Sequence, residues 1–133
     1  MIFQYTLPHI IDGRKTQTRR IKGINDTAIR DKSGDIISVQ VNGRTKWQVG
    51  KTYAIQPGRT LPAIGRIRIT QIREEAVQNI NQEDAIAEGY DSRETFFAVW
   101  RDVHGERAMD VEIWAISFEV DSLDESAYKI IAK

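Results

Sequence analysis

The dipeptide Asn42-Gly43 sits between two runs that carry β-branched residues, "IISVQV" and "RTKWQV". A two-residue hairpin turn needs positive backbone φ at both central positions, and Asn followed by Gly meets that need best. A hairpin of Ile36–Val41 and Arg44–Val49 is therefore expected. More strand-like runs follow at once. After Gly50, "TYAIQ" reads as a strand, "PGRTLP" as a turn-rich connection and "AIGRIRITQI" as a longer strand. In the last, Ile67 and Ile69 alternate with Arg66, Arg68 and Thr70, the period of two that gives a strand one apolar and one polar face. No helical crossover separates these runs, so the sheet they build is mainly antiparallel.

Helices are expected on either side of this block. In "TLPHIID", Thr6 to Asp12, Pro8 suits a first helical turn, Leu7, Ile10 and Ile11 share a face, and Gly13 is a natural stop. "NQEDAIAEGY" opens with Asn81 as a cap, carries acids in its first turn and ends at Gly89. "SRETFFAVWRDVHG" repeats that grammar, with Ser92 as cap and Phe96, Val99, Trp100 and Val103 as one stripe read as core, with no ligand role. "VEIWAISFEV", Val111 to Val120, is apolar on both faces, as in a central strand. Residues 22–35 are polar and without sustained period, which predicts a long loop able to cover a site. Residues 121–133 read as a peripheral helical turn or mobile tail around a core of about 3–120. The order of elements predicts an α+β fold of one domain, a mainly antiparallel, partly closed barrel of about five to six strands with short helices on one side.

The length of 133 residues suits a single hydrophobic core. With 41% apolar and 29% charged residues, the chain lies well away from disorder. It has no cysteine, which removes disulfides and thiolate chemistry. No apolar run is long enough to span a bilayer, and "MIFQYTLPHIIDG" lacks the layout of a signal peptide, so a cytoplasmic location with no membrane partner is expected. The two histidines, His9 and His104, lie in no metal-ligand motif, and neither a phosphate-binding loop nor a dinucleotide fingerprint occurs. Glu83, Asp84 and Glu88 are oxygen ligands of the kind Mg²⁺ takes, but the first two fit a helix N-terminus, and no metal or cofactor is expected.

The charge is polarised along the chain. Met1 to Arg73 holds fourteen Lys and Arg against four Asp and Glu, a net of +10, and Glu74 to Lys133 holds five against fifteen, a net of −10. Two arrangements satisfy this: halves interleaved through ion pairs, or a basic face for a phosphate or nucleic acid with acids near a reaction centre.

The stretch "DGRKTQTRR", Asp12 to Arg20, places four cations and two hydroxyls in nine residues. Lys15 lies among Arg14, Arg19 and Arg20, and neighbouring positive charge or burial lowers the pKa of an amine. A neutral lysine can take the proton of a threonine hydroxyl, here Thr16 or Thr18. In a regular strand Lys15 and Thr18 point to opposite faces, so this pairing requires a turn or bulge just after Gly13. The plainer readings are a solvated basic loop or a phosphate-binding strip.

"GRKTQTRR" resembles the G-x-K-T-x-T-x-R signature of ASCH domains, a branch of the PUA-like fold. The resemblance extends to "VGKTYAIQPGR", "GRIRITQIR", "EDAIAEGY" and "VEIWAISFEV", from about Phe3 to Val120. It implies a small β-barrel with flanking helices. Some small bacterial members are amidohydrolases that deacylate N4-acetylcytidine with a Lys, a Thr and a Glu, which match Lys15, Thr18 and Glu88. The implied roles are Thr18 as nucleophile, Lys15 as base and Glu88 as partner of the departing amine. Beside these motifs, Arg19 and Arg20 are candidates for contact with an acylated cytidine, and the aromatic Phe3 and Tyr90 read equally as a stack for its pyrimidine or as core. The rival reading is an RNA-binding module, with or without ribonuclease activity, whose basic face is built from Arg14, Arg19, Arg20, Arg66 and Arg68. The preferred acyl group, the choice between free nucleoside and RNA, and the oligomeric state are left open.

Overall fold

The computed structural model describes residues 1–131. The chain runs α1 (Leu7–Ile11), β1 (Gln17–Ile21), β2 (Asp26–Arg30), β3 (Ile36–Val41), β4 (Arg44–Gln48), β5 (Thr52–Ile55), β6 (Gly65–Ala76), α2 (Gln82–Ala87), α3 (Arg93–His104), β7 (Glu112–Leu123) and α4 (Glu125–Ile131), with short 3-10 turns after β6 and α3. The expected hairpin forms: Asn42 and Gly43 have φ of 53° and 81°, and β3 pairs with β4 through Val41 and Arg44. Both cap assignments hold. Asn81 accepts from the Asp84 N–H at 2.7 Å, and Ser92 accepts from the Thr95 N–H at 3.1 Å.

All strand pairs in the sheet are antiparallel, as the lack of crossovers requires. The order is β1-β7-β6-β3-β2, with β4 added on β3 and β5 on β6. The α+β class is as expected, but the sheet has seven strands rather than five or six, and it does not close into a barrel. The end strands β1 and β2 do not pair, and within the sheet β3 meets β6 only at the single pair Ile36↔Ile72. In contrast, β6 and β7 pair along nearly their full length and form the spine. Gly65 starts that spine, and a Cβ there would lie 2.2 Å from the carbonyl oxygen of Ser122, so no side chain fits.

Two expectations are corrected. The segment 22–35 is not a loop throughout: residues 26–30 form β2, which pairs with β3 and is fixed by Asp26, whose carboxylate accepts from the Trp114 indole N–H at 2.8 Å. In the segment 121–133 the expected helical turn is present as α4, but as far as it is described it is packed rather than peripheral. β7 continues to Leu123, and Ala127 of α4 is fully buried in the cluster that α1 forms with Phe3, Ile67 and Phe118. Ala132 and Lys133 lie outside the described residues.

The core has three parts. One lies beneath α1 and α4; a second holds Trp114 and Ile116 against Val39, Trp47 and Ile69; a third packs Ile113 and Ala115 of β7 against α2 and α3. β7 therefore buries both faces, as its continuous apolar run predicts. Among the described residues no helix is long and apolar enough to cross a membrane.

Candidate active site

Lys15 is placed by the chain reversal that follows α1. Gly13 has φ of 87°, available to glycine at little cost, and the next residues are tied to two helices. The Lys15 backbone N–H donates to the His9 carbonyl at 2.8 Å, and the Thr16 N–H donates to the Ala87 carbonyl at 2.7 Å. β1 begins only at Gln17. Lys15 thus lies outside the strand, which satisfies the condition that let it share a site with Thr18 despite their odd spacing.

Glu88 arrives from the other side as the C-terminal cap of α2. The Lys15 ammonium donates to its carboxylate at 3.1 Å and to its backbone carbonyl at 2.8 Å. Lys15, Thr18 and Glu88 are 3%, 5% and 4% exposed, a concentration of buried polar groups that an ordinary core avoids. Burial pushes the Lys15 amine below its ordinary value; Glu88 opposes that shift, and Arg20 and Arg19 add to it. The expected direction is present, with desolvation rather than neighbouring charge as its main cause.

A cavity of about 100 Å³ has all three residues in its wall. It wraps the free edge of β1, so side chains from both faces of that strand reach it: Thr18 and Arg20 from one, Arg19 from the other. Phe3 and Tyr90 also line it, as do Thr6 and Tyr5 of the N-terminal segment. Phe3 is 3% exposed, with Phe118 5.8 Å away and the Arg20 guanidinium over its ring at 5.2 Å, so it is both wall and core. The Tyr90 ring meets Phe96 edge-on at 5.7 Å, and burial followed by the nearby Glu88 charge raises its phenol to about 12, which keeps it a neutral donor. Arg20 donates to the Ile2 carbonyl at 2.8 Å, while its buried Nε has no protein partner.

Arg19 lines the cavity, but its guanidinium is already engaged by protein groups. Its guanidinium donates to Glu75 at 2.8 Å, Gln17 at 3.0 Å, Glu88 at 3.0 Å and Asp84 at 3.3 Å. These partners occupy the fork, so Arg19 holds Glu88 in place. The arginines of the expected basic face do not all gather at this cavity. Arg66 is bound to Thr52, and Arg68 to Asp121 and the Gly50 carbonyl, and neither lines the cavity. The charge halves interleave instead: Arg14, Lys15, Arg19, Lys22, Arg30, Arg68 and Arg73 each face an acid of the second half. Asp84 and Glu88 are committed to those cations, and among the described residues no cluster suited to a metal ion occurs.

The α3 stripe is more than core: Phe96, Val99, Trp100, Val103 and His104 line the cavity. Trp100 and Phe96 are buried and serve the core as well, the Trp100 indole donating to the Ala108 carbonyl at 2.8 Å. Val103 is 40% exposed, so the stripe runs off the core and into the site. A usable signal existed in the spacing: Phe96, Trp100 and His104 recur at four-residue intervals, which extends one helix face beyond its last apolar residue. The His104 ring lies 4.1 Å from that of Trp100, and burial, then the Arg20 charge, lowers its pKa.

No family model matches the sequence, and no curated protein matches it. Solved structures do share its fold. A protein of Enterococcus faecalis with the family designation DUF984 superposes with a TM-score of 0.60 at 20% identity, covering 92% of this chain and 73% of its own. An ASCH domain from Lactobacillus crispatus gives 0.53 at 17%, covering 86% and 69%. The hypothetical protein PH0355 gives 0.58 at 16%, covering 90% and 95%. The chain therefore has an ASCH-like, PUA-like fold.

Proposed function

We propose that this chain, with its ASCH-like fold, is a small hydrolase that removes the acyl group from N4-acylated cytosine or cytidine. The observation that carries the reading is the burial of Lys15, Thr18 and Glu88 around one cavity, with the lysine amine biased toward its neutral form. A threonine hydroxyl is inert at its own pKa, and a desolvated amine beside it is the activation it needs. At about 100 Å³ the cavity is smaller than the roughly 300–1,000 Å³ of sites that enclose a whole ligand. It suits an acyl group and the amide edge of a pyrimidine, with the rest of the molecule outside.

Thr18 Oγ attacks the acyl carbonyl as Lys15 takes its proton. The tetrahedral oxyanion forms beside Arg20, which lines the cavity and whose guanidinium is a donor of the kind that stabilises it. The C–N bond then breaks, and the proton held by Lys15 passes to the departing amine, which Glu88 orients through its contact with the ammonium. Water hydrolyses the acyl-threonine and regenerates the hydroxyl. Of the arginines an RNA-binding module would use, Arg14, Arg19 and Arg68 already have an acidic partner, while Arg20 and Arg66 bond to the Ile2 carbonyl and to Thr52.

The test of Thr18 as nucleophile is mass spectrometry of protein quenched in acid during turnover of N4-acetylcytidine. The expected result is an acetyl mass on the peptide carrying Thr18, absent from Thr18→Ala. An acetyl group on Thr16 instead, or full turnover by Thr18→Ala, overturns the assignment.

A further inference from the structure

Arg19 sits at the centre of a lattice that extends well beyond the cavity. It lies on β1, and its partner Glu75 lies on β6, two strands away across β7. The register shows how the contact is possible. Arg19 pairs with Ala115 from one side, and Arg73 pairs with the same Ala115 from the other. The residue between the two arginines on that face is thus an alanine, which leaves room for Arg19 to lie across the middle strand. Asp84 of α2 closes the lattice from above, 3.3 Å from Arg19 and 3.5 Å from Arg73, while Gln17 donates to its other oxygen at 3.0 Å.

The lattice is balanced, with Lys15, Arg19 and Arg73 against Glu75, Asp84 and Glu88. Its inner end is sealed and its outer end open: the Lys15 side chain is 3% exposed and that of Arg73 36%. Glu88 is the bridge. One of its oxygens accepts from Arg19 at 3.0 Å and the other from Lys15 at 3.1 Å. Charges this close in a dry interior are coupled, so a change at Glu75 reaches Lys15 through Arg19 and Glu88.

We infer that Arg19, held across β7 by Glu75 and Asp84, is a positioning residue that sets how readily Lys15 gives up its proton. The other titratable groups in the cavity wall are Tyr5 of the N-terminal segment, Arg20 of β1, Tyr90 after α2 and His104 of α3; His9 of α1 faces Asp12. None of these hydrogen-bonds to Glu75 or Asp84; Arg20 and Tyr90 feel the lattice only through the Glu88 charge. Neutralising Glu75 leaves Arg19 under-compensated, and the surplus positive charge favours the neutral lysine. Removing the Arg19 charge does the opposite, because Glu88 then depends on Lys15 alone for a cation.

The inference rests on the proposed reaction only for its consequence, and its test needs no substrate. The Lys15 side-chain resonance, labelled with ¹³C at Cε and assigned by its loss in Lys15→Arg, is titrated by NMR in the whole chain. Glu75→Gln is expected to lower the Lys15 midpoint by on the order of 1 pH unit, and Arg19→Gln to raise it by a similar amount. Arg19→Lys, which keeps the charge without the fork, is expected to fall between the parent and Arg19→Gln. Midpoints unchanged in Glu75→Gln and Arg19→Gln, or moved in the same direction, overturn the inference. If Arg19→Gln does not fold, Glu75→Gln and Asp84→Asn decide it: a downward shift supports it, and no shift or an upward one overturns it. Failure to hydrolyse an acylated cytidine refutes the reaction and leaves this titration intact.

Discussion

At the residue scale the site is a case of burial changing chemistry. Lys15 at the surface would be a cation with an ordinary pKa; enclosed by Thr18, Glu88 and Arg20 it is pushed toward the neutral amine. Two pH effects follow, with signs fixed by that direction. The rate of acyl transfer rises with pH through a midpoint below the usual 10.5 of lysine, because the base is the neutral form; Lys15→Ala abolishes this limb in a pH profile of kcat/KM and lowers turnover by about 10²-fold or more. Between the lowered midpoint and 10.5 the unfolded chain binds the proton that the folded chain lacks, so Lys15 makes stability increase with pH in that window. Denaturant titrations of the parent across that window should show the rise, and those of Lys15→Met should not. The residue types of this site were legible in "GRKTQTRR" and "EDAIAEGY", as was the need for a turn before the strand. The work of Arg19 was not, because its carboxylate partners lie 56 and 65 or more residues away and are brought near only by the sheet.

At the scale of elements, the parts with a strong local signal formed where the pattern put them: the Asn42-Gly43 hairpin, the capped helices and the apolar final strand. β2 escaped because its signal is not local. Its side chains are half-buried or exposed, its pattern does not alternate, and it is a strand by virtue of pairing with β3 and of the Asp26 bond to Trp114. Asp26→Ala leaves the indole N–H without that acceptor in a nearly inaccessible position, a loss of about 1–3 kcal/mol readable in denaturant melts. The spine is sensitive in another way. Gly65→Ala drives a Cβ into the Ser122 carbonyl, so β6 and β7 must shift apart, and a destabilisation of about 1–3 kcal/mol is expected. Melts of either variant that match the parent would contradict these roles. The cavity face of α3 shows the limit of periodicity, since a core stripe and a site wall obey the same spacing until the element behind them ends.

For the whole molecule, the polarised charge resolves into contacts between the two halves rather than into opposed faces. Most of the pairs are partly exposed, worth at most about 1 kcal/mol each and screened by salt. The lattice around Arg19 is the exception, being enclosed by β1, β6, β7 and α2, and it converts a sequence-wide asymmetry into a local charge balance at the end of the sheet. The fold supplies the rest: an edge strand that lets both of its faces reach one cavity, a chain reversal that brings Lys15 beside it, and a helix end that delivers Glu88. The central claim is that this assembly cleaves an amide. Its most direct test is the ultraviolet absorbance change on mixing the protein with N4-acetylcytidine, beside Lys15→Ala and Thr18→Ala. The account predicts rapid conversion to cytidine by the parent and a loss of about 10²-fold or more in each variant; no conversion by the parent, or equal conversion by all three, would contradict it.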